Sequence, residues 1–138
     1  MNKEDLIKHL KEATQVLKNP SIENAFMVID RVDFVDEDYK VEAYEDYPLP
    51  IGNGQTISQP TTVAFMLELL DVKKGEKVLD LGSGSGYTSA LIGKIVGDSG
   101  RVVGVEIITE LVEKSRENLA KYTMDNVEIF GYQKTIYH

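Results

Sequence analysis

The chain has 138 residues, 42% of them hydrophobic and 28% charged, enough for one domain with a real core and too few for two. A formal net charge of −8, with 15 dispersed basic residues, argues against a nucleic-acid partner, because affinity for a phosphate backbone comes from clustered Lys and Arg. Cysteine is absent and the two histidines, His9 and His138, stand far apart, which excludes disulfides, thiol nucleophiles and a histidine metal cluster.

The N-terminus lacks the apolar core of a signal peptide and no run approaches bilayer-spanning length, so no membrane partner and a cytoplasmic location are expected. From Glu4 to Leu17 the apolar residues Leu6, Ile7, Leu10, Ala13 and Leu17 recur at helical spacing, and "NPS" at 19–21 is expected to stop that helix. A second short helix is predicted over Ile22–Arg31. An acidic, irregular stretch follows through Asp36, Glu37, Asp38, Glu45 and Asp46, read as solvated surface since no metal-ligand spacing stands out. The segment "IGNGQTISQP" at 51–60 carries no charge and contains an Asn-Gly turn signal. "TTVAFMLELL" at 61–70 is apolar around most of its circumference and predicts a helix buried on more than one side, with Ser58 as N-cap and Pro60 in the first turn.

From Lys77 the texture changes. "KVLDL" reads as a strand, "GSGSG" as a glycine loop, and "YTSALIGKIV" as a helix with Leu91, Ile92 and Ile95 on its inner face. "RVVGVE" is a second strand, "TELVEKSRENLAKY" a second helix and "NVEIF" a third strand. This alternation predicts parallel βαβ units with right-handed crossovers. Three such strands in a doubly wound sheet take the order 3-2-1, which leaves "KVLDL" on an edge.

The glycine loop follows a strand and opens a helix, the setting of a nucleotide-type cofactor site. Its glycines, Gly82, Gly84 and Gly86, are interleaved with Ser83 and Ser85, and Tyr87 stands where a dinucleotide fingerprint needs its third glycine. No Gly-Lys-Ser/Thr closes a phosphate-binding loop either. A shorter triad suits a ligand without a pyrophosphate, and S-adenosylmethionine has that shape: a nucleoside, one amino-acid end and no phosphate. Asp80 ends the first strand, where it can meet the ligand's ammonium and brace the loop amides. Glu106 ends the second, where a carboxylate can accept both ribose hydroxyls. The opposing reading of these features is a tight Gly-Ser turn beside strand-end acids that face water.

The stretch "AYEDYPLPIGNGQTISQPTTVAFML", together with "VLDLGSGSGYTSALI" and the upstream "AFMVIDRVDFVDEDY", resembles the protein-L-isoaspartate O-methyltransferases, which methylate isoaspartyl carboxylates in aged proteins. The match runs from about residue 22 to 129, and "PLPIGNGQTIS" is its most specific element. The resemblance implies an α/β fold, the Rossmann-like S-adenosylmethionine-dependent methyltransferase fold, with an N-terminal helical region and an incomplete parallel sheet. It implies one domain, with residues 1–70 as helical region and substrate loop and 77–130 as cofactor-binding βαβαβ. It places Ser58 at the active site with Thr56 beside it, and Pro50, Ile51, Gly52, Asn53 and Gly54 along the substrate pocket. Isoaspartyl-containing proteins or peptides are the implied partners. An uncharged loop suits that role, because the acceptor carboxylate is already ionised and needs orientation rather than a base.

The family resembled continues with further strands and helices, and after its third strand typically carries Gly-Asp-Gly, whose acid lies near the adenine. Here Tyr132 follows Gly131 and the chain ends at His138. Three readings follow: a C-terminally truncated or frame-shifted product, a chain that pairs its open edge with a second copy, or a shortened homologue. The function expected is repair methylation, with a non-catalytic remnant that binds S-adenosylmethionine or self-associates as the alternative.

Overall fold

A computed structural model describes residues 1–132, so His138 lies outside the described residues. Three helices and a hairpin precede the sheet. Helix α1 (Lys3–Glu12) opens on Asn2, whose side chain accepts from the Asp5 amide while Asp5 accepts from the Asn2 amide, a reciprocal cap. It ends earlier than the apolar spacing predicts, because Gln15 takes a left-handed backbone conformation and turns the chain, leaving Leu17 buried in a loop. Asn19 and Pro20 begin the next helix rather than stop the first. The Asn19 side chain accepts from the Ser21 amide, and α2 runs Pro20–Val28, three residues short of the predicted Arg31. The acidic stretch is not wholly irregular, since Arg31–Phe34 and Glu37–Glu42 form two short 3-10 helices.

The uncharged segment is a β-hairpin. Strands β1 (Leu49–Gly52) and β2 (Gln55–Ile57) pair antiparallel with Leu49 opposite Ile57 and Pro50 opposite Thr56. Asn53 and Gly54 both have positive φ, as a two-residue turn matching the twist of its strands requires. Helix α3 (Pro60–Leu70) follows, with Pro60 in its first turn as predicted. Its N-cap is Gln59 rather than Ser58, and no cap side chain bonds to it. The acceptor comes instead from Asp46, 15 residues upstream, whose carboxylate receives the Thr61 amide at 2.9 Å and the Thr61 hydroxyl at 2.6 Å. Val63, Ala64 and Leu67 are buried, whereas Phe65, Met66, Leu69 and Leu70 are half exposed or more. The expectation of burial on several sides therefore fails: among the described residues, α3 has packing partners along one stripe only.

Strands β3 (Lys77–Leu81), β4 (Arg101–Glu106) and β5 (Val127–Gly131) form the parallel sheet, joined by α4 (Tyr87–Val96) and α5 (Thr109–Leu119). The order is β3-β4-β5, so β3 is an edge, as the predicted 3-2-1 order requires. Both helices lie on one face. Val78, Asp80, Val102, Gly104, Val127 and Ile129 share that face through the register, and the valines and isoleucine of β4 and β5 are buried there. The opposite face carries Leu79 beside Val103 and the row Leu81, Val105, Phe130, with Leu79, Leu81 and Phe130 at 59%, 72% and 44% exposure. Parallel sheets are ordinarily covered on both faces.

The two regions share one core. Tyr87 on α4 packs edge-on to Phe26 at 6.4 Å and against Phe34 at 5.3 Å, joining sheet layer to helical region. Tyr122 stacks on Phe34, donates its hydroxyl to Asp33 at 2.6 Å and accepts the Asp30 amide at 2.9 Å. Each buried ring contributes about 2–3 kcal/mol of apolar burial, so the N-terminal region is seated on α4 and α5 rather than tethered to them.

Candidate active site

The predicted cofactor residues converge at the carboxyl ends of β3 and β4. Positive φ at Gly82, Gly84 and Gly86 folds the loop back over the sheet, where the Gly82 and Ser83 amides both donate to the Val105 carbonyl. Glu106, at 6% exposure, accepts the Gly84 amide through Oε1 and the Ile108 amide through Oε2, each at 2.9 Å. The loop brace is therefore Glu106 and not Asp80, which corrects the sequence expectation. Depth explains the exchange: Asp80 and Glu106 point to the same face, but Asp80 lies opposite Gly104, two positions before Glu106 and under α4, so its carboxylate meets the Ser89 hydroxyl at 2.6 Å instead of the loop amides.

Burial pushes the Asp80 carboxyl up from its ordinary value, partly offset by the Ser89 hydroxyl and reinforced by Glu106. A half-buried carboxylate with a hydroxyl as its hydrogen-bond partner favours a cationic guest. Ser83 Oγ is buried with no hydrogen-bond partner among the described residues, a polar atom that a ligand would satisfy. A methyl group built on Gly82 would meet nothing within 4 Å, so the backbone there borders open space. These three features fit a small polar, positively charged ligand at the loop.

The remaining loop serine and the helices close the frame. Asn118 on α5 donates to the Ser85 carbonyl at 3.1 Å, and Ser85 Oγ accepts the Tyr87 amide at 3.3 Å. Asn118 and Ser89 were not singled out from the sequence. Both are nearly fully buried polar residues in amphipathic helices, and polar residues on an apolar helical stripe are the signal that could have found them.

The hairpin meets the glycine loop through Ile51, whose Cδ1 would lie 3.4 Å from a methyl group on Gly84. Ile51 is a core residue at 7% exposure, whereas Pro50, Gly52, Asn53, Gly54 and Thr56 are exposed. A groove of about 290 Å³ runs between α3, α4 and β3, and Ser58 and Asp80 both line it, with Thr62, Met66 and Thr88. The fold thus brings an element of the predicted acceptor site onto the same cavity as an element of the predicted cofactor site. Thr56, Glu106 and the glycines lie outside that groove's lining. Tyr132, which stands where the resembled family carries an acid, is exposed, and its amide donates to the Glu106 carbonyl at 3.0 Å.

Arg31 is the largest residue that sequence reasoning missed. It is fully buried and donates to the carbonyls of Ala43, Glu45, Tyr47 and Ser58. Burial lowers its ordinary value while Tyr87 and Asp46 pull the other way, and a guanidinium remains charged in either case.

Known proteins share this sequence pattern and fold. The family model for protein-L-isoaspartate(D-aspartate) O-methyltransferase matches residues 1–132. Protein-L-isoaspartate O-methyltransferase 2 of Archaeoglobus fulgidus is 52% identical over 107 residues, 73% of this chain and 49% of the relative. The enzyme of the same name from Methanothrix thermoacetophila is 45% identical over 129 residues, 94% of this chain and 60% of the relative. A Plasmodium falciparum structure described as a protein-L-isoaspartate O-methyltransferase in complex with S-adenosyl-L-homocysteine superposes with a TM-score of 0.84 at 28% identity, covering 96% of this chain and 63% of that one. The chain spans about half the length of the curated relatives it matches. With the match extending over every described residue and the fold agreeing, the chain belongs to the protein-L-isoaspartate(D-aspartate) O-methyltransferase family.

Proposed function

We propose that this chain binds S-adenosylmethionine at the glycine loop and directs methyl transfer to the carboxylate of L-isoaspartyl residues in damaged proteins. The observation that carries the reading is the groove shared by Ser58 and Asp80 beside a loop braced by Glu106. The cofactor, when bound, supplies a methyl group on a positively charged sulfur that needs no prior activation. Asp80 balances the positive end of that ligand. Glu106 spends one lone pair of each oxygen on an amide, which leaves acceptor capacity for a ribose diol. Ser83, Ser85 and the glycines Gly82, Gly84 and Gly86 form the cradle, whose open space at Gly82 and unpartnered Ser83 hydroxyl support a close-lying ligand.

The acceptor carboxylate is ionised at neutral pH, so this chain's residues need supply no base. Hydroxyls of Ser58 and Thr56 orient it, and the uncharged hairpin with Pro50, Ile51, Gly52, Asn53 and Gly54 borders the substrate side. A lysine in that hairpin would hold the ground state too firmly. Residues 1–70 thus handle the substrate and 77–130 the cofactor. No described helix is long and apolar enough to cross a membrane, and we place the activity in the cytoplasm. We also propose that the sheet face and β3 edge left uncovered among the described residues, with Leu79 and Leu81 exposed, associate with a second copy. Only monomer in sedimentation at high concentration would refute that association.

The test of function is transfer of labelled methyl from S-adenosylmethionine to an isoaspartyl peptide, with the aspartyl peptide as control. Transfer to the isoaspartyl peptide alone is expected. Cofactor binding without transfer would leave a non-catalytic binder.

A further inference from the structure

The hairpin that carries the acceptor hydroxyls projects into solvent, with residues 52–56 all exposed, yet its base is held by one buried side chain. Arg31 Nη2 donates to the Tyr47 carbonyl at 3.1 Å and the Ser58 carbonyl at 3.2 Å, two residues before β1 and directly after β2. Nη1 donates to Ala43 at 2.8 Å and Glu45 at 3.3 Å. A single guanidinium therefore spans both roots of the hairpin and the segment that feeds it. The neighbouring carboxylate, Asp46, is committed to Thr61 and His9. Among the described residues Arg31 makes no ion pair, and its Nε has no partner. A protein interior rarely holds a full charge on carbonyls alone, because an apolar side chain would pack there at lower cost.

We propose that Arg31 is a positioning residue of the acceptor site: it fixes Ser58 against Asp80 across the groove and stands as a positive charge bonded to no carboxylate behind the wall that receives the substrate carboxylate. This rests on the function proposed above and names a residue that acts through Ser58 rather than on the reacting atoms. Lysine cannot replace it, since a point charge with three donors does not reach four carbonyls laid out across two hairpin roots. Misplacement of a reacting group by about 1 Å costs on the order of 100-fold in rate, so a small relaxation of the base is enough to be read in turnover.

The experiment compares the full chain with Arg31→Lys and Arg31→Gln in three measurements. Amide hydrogen exchange of Arg31→Lys is expected to quicken about tenfold or more across 43–47 and 55–62 while 77–106 keeps its protection. Its Kd for S-adenosylmethionine is expected to stay within about twofold, and kcat toward an isoaspartyl peptide to fall about 30-fold with a smaller change in KM. Arg31→Gln is expected to add a rise in KM of about fivefold over the Lys variant, because the charge is gone as well as the fork. An unchanged exchange profile, a uniform loss of protection over the whole chain, or cofactor Kd and kcat worsening together would overturn the proposal. Should wild-type protein transfer no methyl group, the proposed function fails, and the exchange pattern alone decides whether Arg31 holds the hairpin base. Should neither variant fold, nitrogen-detected spectra of the wild type decide it: resolved, slowly exchanging Nη signals support the clamp, and one averaged signal rejects it.

Discussion

Two glycine-rich loops meet at this site and are built on opposite plans. The loop at 82–86 is gripped along its length: two amides on Val105, one on Glu106, a carbonyl on Asn118, with Ser83 and Ser85 buried. The hairpin at 49–57 is held toward its base, by buried Leu49, Ile51 and Ile57 and by Arg31 on the flanking Tyr47 and Ser58 carbonyls, while its tip at 52–56 stands free in solvent. A loop that must meet one small ligand benefits from being set before the ligand arrives. A lip that must accept the varied surroundings of a damaged residue benefits from a firm root and an open end. Each loop is therefore most vulnerable where it is held.

The largest effect should come from the brace of the first loop. Glu106→Gln keeps one acceptor oxygen but turns a donor toward the second amide, and is expected to lower stability by about 3 kcal/mol and cofactor affinity by at least tenfold, read by urea unfolding and calorimetry. Gly86→Ala comes next. Its φ of +88° is strained for any side chain and the added methyl lies 3.1 Å from Ser115 Cβ, so a loss of about 2 kcal/mol is expected in the same assay. If the second loop is open at its tip, Ser58→Ala should leave stability and cofactor Kd alone while lowering kcat about tenfold, and equal losses in binding and turnover would contradict the separation of roles. Gly54→Ala, at a φ of +72° with nothing within 4 Å, should cost about 1 kcal/mol at most, confined to the hairpin in hydrogen exchange.

The smallest effect has the opposite sign. Asp80 has a folded-state value raised above the ordinary 3.8, chiefly by burial. The stability this gives is fully present below the ordinary value and is lost as pH rises through the raised one. Asp80→Asn should therefore melt slightly higher than wild type at neutral pH without cofactor, and bind cofactor more weakly. The wild type's decline as pH rises from the ordinary value through the raised one should be shallower in the variant. A lower melting temperature for Asp80→Asn at neutral pH would show that the carboxylate is not strained by its site.

Acid should loosen the hairpin's surroundings through a different group. Burial alone would raise the Asp46 carboxyl, but the Thr61 hydroxyl and amide and then His9 outweigh it and leave it below 3.8. Its contribution is present above the ordinary value and disappears as pH falls through the lowered one. The start of α3 should therefore lose exchange protection in strong acid before the glycine loop does.

Much of this was legible beforehand because it is local. The helical spacing of apolar residues and the short apolar run before the glycines located α4 and β3 to the residue, and the glycine spacing separated this loop from dinucleotide and phosphate-binding forms. The Asn-Gly pair marked a turn, since few other residues accept two successive positive φ angles, but not the two strands that make it a hairpin. Connectivity alone dictated the sheet order and the exposed edge of β3. Where the periods misled, a distant partner had intervened. The apolar ring of α3 reads as buried all round, but burial depends on what packs against each side, and the described residues cover one stripe. The helix cap supplied by Asp46, the brace supplied by Glu106 and the clamp supplied by Arg31 join residues 15, 22 and 27 positions apart. No short-range pattern records such pairings, because a carboxylate or guanidinium is equally at home in water until the tertiary fold removes the water and leaves it only those amides and carbonyls to bind.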